Sequence, residues 1–190
     1  MKKATVNGVE VSEGAVRFEY DRLVRFYRGH GFSEEAIRQA SSTLEEKALE
    51  QAIGARLLLD QAVKLDVPVS AAEVDAEVEK VVSQVGGADN YRAALAAQGL
   101  DEAAFRREIE KGAKVNKLVA QACASVPEPT EDEIVAFFEA NREAWSEGGK
   151  KTIVDVHDGI RDLLRHEARG RGIEAFVAEL REKADVRYVR

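Results

Sequence analysis

The chain has 190 residues, 45% hydrophobic and 33% charged, with a formal net charge of −7. This balance fits a helical protein with a water-facing surface and excludes nucleic acid or an anionic membrane as partner, since both require a dense Lys/Arg face. No apolar run approaches the ~20 residues that span a bilayer, and a single cysteine, Cys123, precludes an internal disulfide.

The opening MKKATVNGVEV has a basic start but no hydrophobic core region, so no signal peptide is expected in it. ATVNGVEVS alternates around Asn7-Gly8, a strong hairpin signal because both residues tolerate positive φ. ADVRYVR alternates at the other end, with Val186, Tyr188 and Arg190 to one side. Each segment is too short to be stable alone, so the two are expected to pair in a small antiparallel element.

Ser12 is the expected N-cap of a first helix reaching about Arg28, with Val16, Tyr20, Leu23, Val24 and Tyr27 on one apolar stripe. Phe18 points almost opposite that stripe and Phe26 lies at its edge. After Gly29-His30-Gly31, Ser33 starts a second helix, predicted to run unbroken to about Leu65 and to be buried on nearly every side from Leu49 onward. Pro68 stops it, and Ser70 with Glu73 forms a capping box for the third.

Gly86-Gly87 ends the third helix, a short one follows over NYRAALAAQ, and Asp101 caps the next. Thr130 with Glu133 forms a second capping box after Pro127 and Pro129. The helix that follows carries Ile134, Phe137, Phe138 and Trp145. In the last segment the apolar stripe rotates, and Gly170 and Gly172 are expected to kink or break the helix, each costing roughly 1 kcal/mol relative to alanine.

Few residues have the pattern of reactive chemistry. His30, His157 and His166 do not stand three or four apart, so no helical metal pair arises, and no metal or cofactor site is expected. Cys123 has no base beside it and reads as a small core residue. Phosphate-loop, dinucleotide and nucleophile-elbow motifs are all absent. Glu73, Asp75, Glu77 and Glu79 read as a solvated acidic face.

The order of helix, proline stop, capped helix, Gly-Gly break, short helix, glycine stop and long helix resembles the chaperone module of the SurA/PrsA family. RLLLDQAVKLDVPVSAAEVDAEV and ALAAQGLDEAAFRREI carry the pattern most strongly, VNGVEVS resembles the family's opening strand-turn, and ELREKADVRYV its closing helix and strand. In that family a parvulin-type prolyl isomerase domain follows the position of Trp145. Here only SEGGKKT separates Trp145 from Ile153, far short of the ~50 residues a domain needs. The resemblance therefore implies the SurA N-terminal helical fold: all-α with a small β element made by the two termini. The expected organisation is one unit over 1–190, made of a 1–145 helical region, a 146–152 spacer and a 153–190 closing helix and strand.

By function, the resemblance implies an ATP-independent holdase for unfolded polypeptides, acting without isomerase catalysis and placed in the periplasm or outside the cell. Without a signal peptide, a cytoplasmic location also stays open. The alternatives are an assembly scaffold and the non-catalytic fragment of a prolyl isomerase. Apolar side chains off the core stripes, namely Phe18, Phe26, Tyr91 and Phe138, are the candidate client contacts, with inter-helix packing as the competing role. Long helices joined by glycine-containing turns also permit a domain-swapped homodimer.

Overall fold

The computed structural model describes residues 3–146 and 148–189. Arg190, placed by the alternation beside Tyr188, lies outside them. Two strands open the chain, β1 (Lys3–Val6) and β2 (Val9–Glu10), followed by α1 (Glu13–Gly29), α2 (Glu34–Gln39), α3 (Ser41–Lys64) and α4 (Ala71–Gln84). Next come α5 (Ala88–Ala97), α6 (Glu102–Ala122), α7 (Glu131–Ala140), α8 (Arg142–Trp145), α9 (Ile153–Glu182) and β3 (Val186–Val189). The fold is all-α with one small sheet, as the sequence implies.

The termini do pair. The sheet order is β2-β1-β3, antiparallel throughout, with Ala4 opposite Tyr188 and Val6 opposite Val186. Asn7 and Gly8 turn the hairpin at φ 51° and 79°. Asn7 also clasps the closing segment: its N–H donates to the Asp185 carbonyl at 2.8 Å, and its Oδ1 accepts from the Asp185 N–H at 3.0 Å.

The described residues fall into two compact units. One comprises the chain up to Val119 together with the residues from Val177 on; the other is Ala120–Phe176. In the first unit, β1, α1 and α3 enclose a core of Val6, Val11, Val16, Leu49, Ile53 and Leu57, with Val177, Leu180 and Val186 packed against it. A separate core joins α4, α5 and α6 through Val74, Val78, Tyr91 and Leu95. The second unit is centred on Ile134, Phe138, Val156 and Ile160.

The caps form where the sequence places them. Ser12 and Ser33 accept from the N–H groups of Ala15 and Ala36 at 3.2 Å. Ser70/Glu73 and Thr130/Glu133 are complete capping boxes, and Asp101 accepts from the Ala104 N–H at 2.6 Å.

Three expectations are corrected. The long second helix breaks at Ala40, giving α2 and α3. Ser41, Ser42 and Thr43 follow the break, residue types whose hydroxyls offer the backbone alternatives to helix. The helix carrying Phe137 ends at Asn141, whose side-chain amide donates to the Phe137 carbonyl at 2.8 Å, so Trp145 sits on the separate turn α8.

The third correction concerns Gly170 and Gly172: α9 continues through both without interruption. A Cβ at Gly172 would lie 3.0 Å from Val126 Cγ2 and 3.5 Å from Cys123 Sγ. The missing side chain there serves close packing rather than a break. Close approach to a neighbour outweighs the propensity loss.

Candidate functional site

The structure divides the four candidate aromatics into two pairs. Tyr91 (5% exposed) and Phe138 (3%) are buried in cores. Tyr91 packs edge-on against Phe105 at 5.5 Å, and Phe138 lies with Ile134, Val156 and Ile160. Being off a helix stripe does not leave a ring exposed when a second helix covers it. Their burial favours the inter-helix packing role over client contact for both.

Phe18 and Phe26 are 62% and 56% exposed. Both stand on α1, whose opposite side supplies Val16, Tyr20 and Leu23 to the core. An amphipathic helix normally covers its solvent face with polar groups, so two phenylalanines there depart from the pattern. Each is an apolar surface that folding leaves in water.

Phe26 begins a run of rings around the end of α1. Its centroid lies 4.0 Å from His30 and 5.6 Å from Tyr27, and Tyr27 meets Phe32 edge-on at 5.2 Å. Phe32 is itself 52% exposed; it falls in a turn with no periodic stripe, so periodicity gives no signal for it. The C-terminal turn holds the run in place: His30 caps α1, with Nδ1 2.8 Å from the Phe26 carbonyl oxygen. Arg28 reaches across the turn to Glu34 with bonds of 2.6 and 3.1 Å.

Beyond Phe32 the rings lead into a cleft of about 180 Å³ lined by Tyr27, Phe32, Ile37, Leu44 and Lys47. Lys47 Nζ lies 3.5 Å from the Tyr27 hydroxyl at its edge. The break at Ala40 belongs to this site, because Ala40 and the flanking Ala36 and Thr43 line the same cleft. The arrangement can hold an apolar side chain beside a polar backbone.

Several charged groups elsewhere tie the helices together. Lys117 on α6 holds Glu73 at 2.7 Å and donates to the Pro68 carbonyl at 2.8 Å. Lys117, together with the Ser70 backbone and hydroxyl, pulls the Glu73 carboxyl down to about 2. Asp75 pairs with Arg106 on α6. The acidic run is a largely solvated face, as expected, and two of its members also tie α4 to α6.

In the second unit, His157 Nε2 stands 2.7 Å from Glu131 Oε2 and Arg161 Nη2 2.9 Å from Glu131 Oε1, joining α9 to the start of α7. The hydrogen bond to Glu131, helped by Asp158, raises the His157 pKa, and that to His157 lowers Glu131. Among the described residues no group of three His, Cys, Asp or Glu side chains could hold a metal ion. Among the same residues no helix is long and apolar enough to cross a membrane.

Comparison with known proteins supports the same framework. A protein of Azotobacter chroococcum mcd 1 named "Putative peptidyl-prolyl cis-trans isomerase NifM" is 24% identical over 158 residues, covering 80% of this chain. The chain spans about half (52%) of that relative's length. Among solved structures, a chain from work describing PEB4 and the periplasmic protein Cj1289 of Campylobacter jejuni as SurA-like chaperones shares the fold. It matches with a TM-score of 0.59 at 14% identity, over 100% of this chain and 99% of that one. The model of the SurA-like N-terminal domain matches residues 2–119, which include the hairpin, the α1 face and the cleft. On the strength of that match, spanning well over half of its length, the chain belongs to the SurA-like N-terminal domain family.

Proposed function

We propose that this protein is an ATP-independent holdase that binds unfolded or partly folded polypeptides through the solvent face of α1 and the adjoining ring-lined cleft. The observation that carries the reading is the exposure of Phe18, Phe26 and Phe32 on one segment of the first unit. Exposed apolar surface of this kind marks an interaction site on a soluble protein. Several shallow contacts, none requiring a defined client shape, suit a promiscuous binder. No isomerase chemistry is assigned to the chain, and an extracytoplasmic location follows the family resemblance.

The test is suppression of aggregation of a chemically unfolded, unrelated protein, without nucleotide, with light scattering on the same sample to give the oligomeric state. Delayed aggregation at near-stoichiometric amounts supports the holdase. A single stoichiometric partner or a tight, client-indifferent dimer supports a scaffold instead.

A second reading draws on the 52% coverage of the isomerase-named relative. The chain would then correspond to the client-holding part of a longer isomerase. A protease-coupled assay on an X-Pro peptide separates the readings: catalysis by this chain that survives repurification contradicts both.

A further inference from the structure

The solvent face of α1 carries charge as well as rings. The helix holds four arginines (Arg17, Arg22, Arg25, Arg28) against three acids, in a chain of net charge −7. Two arginines are engaged within the fold: Arg22 lies 2.8 Å from the buried Glu19 carboxylate and 3.3 Å from Gln51, and Arg28 holds Glu34. Arg17 and Arg25 are exposed and have no hydrogen-bond or ion-pair partner among the described residues. Asp21, one turn from each, pairs with neither.

Arg25 follows Phe18 by seven residues, so the two side chains rise from nearly the same line along the helix, two turns apart. At 1.5 Å per residue the separation is about 10.5 Å. An extended polypeptide covers that distance in about three residues. An apolar side chain seated on Phe18 therefore brings the third residue along the client to Arg25. A carboxylate there gains an unpaired guanidinium, and a lysine meets like charge.

We propose that this face selects client segments in which a large apolar residue and a carboxylate stand about three residues apart. The inference rests on the holdase reading and adds a charge and spacing preference to it. Being exposed, the pair supplies discrimination among clients more than raw affinity.

The test compares three labelled peptides of matched length by fluorescence anisotropy with the full chain. One carries Leu-x-x-Glu, one Leu-x-x-Lys, and one places the glutamate directly beside the leucine. The spaced acidic peptide should bind about three- to tenfold more tightly than the lysine peptide at low ionic strength. That gap should close as salt screens it, and Arg25→Glu should reverse the order. Equal binding of all three peptides, with unfolded protein still held, overturns this inference and leaves the holdase standing. Equal binding of the two acidic peptides overturns the spacing. Failure to bind peptides and unfolded protein alike overturns both readings.

Discussion

The Tyr188 hydroxyl in β3 donates to Glu50 Oε1 in α3 at 2.5 Å, joining residues 138 apart in sequence. Arg181 completes the group, its Nη1 2.6 Å from Glu50 Oε2 and its Nη2 donating to the tyrosine oxygen. The closing strand is thus held to the first-unit core by a polar clasp as well as by its ladder to β1. Tyr188→Phe should lower stability by about 0.5–1.5 kcal/mol, the net contribution of such a bond at a partly exposed site. Denaturant unfolding of the single and Glu50→Gln double variants measures the coupling.

Acid should loosen the junction of α4 with α6. Glu73 has its pKa lowered from 4.5 to about 2 by Lys117 and the Ser70 cap. A depressed carboxylate contributes stability that is present above the unfolded value and is lost as pH falls through the folded one. The thermal midpoint should fall between about pH 4.5 and pH 2, and Lys117→Met should shrink the Glu73 contribution to that fall. An unchanged acid limb in the variant contradicts the assignment.

His157 should act in the opposite direction. Its pKa is raised above 6.5 by Glu131, so its contribution is complete below that value and is lost as pH rises through the folded pKa. Once corrected for the intrinsic base-catalysed rate, the protection of α7 amides near Glu131 should fall through that neutral-to-alkaline window, and His157→Gln should remove that fall. A wild-type protection factor that stays constant across the window contradicts it.

The two glycines of α9 should respond differently to alanine. Nothing lies within 4 Å of a Cβ at Gly170, so Gly170→Ala should stabilise by roughly 0.5–1 kcal/mol. At Gly172 the methyl meets Val126 at 3.0 Å, and the packing shift should cancel or exceed that gain. Equal stabilisation by both substitutions contradicts the close-packing role of Gly172.

These glycines also show where sequence reasoning ends. Caps are written in local chemistry, which is why Ser12, Ser70 with Glu73, and Thr130 with Glu133 could be placed without a structure. The pairing of the termini was legible for the same reason: alternation and Asn7-Gly8 are local signals. Gly172 was misread because its reason, the proximity of Val126 and Cys123, lies some fifty residues away along the chain. For Tyr91 and Phe138 the competing role, inter-helix packing, is what their burial favours, and periodicity is silent on the choice because it reveals the stripe facing one neighbour and not a second. The cleft depends on the break at Ala40, which carries no proline or glycine to announce it.

The most direct test of the central claim is client binding by Phe18→Ser, read together with its unfolding midpoint. At 62% exposure, loss of the ring should leave stability within about 0.5 kcal/mol, whereas truncating a core phenylalanine costs about 3–5 kcal/mol. The account expects weaker suppression of aggregation at an unchanged midpoint, and a further loss with Phe26→Ser. Full suppression by the double variant at wild-type stability would contradict the α1 face as the client surface.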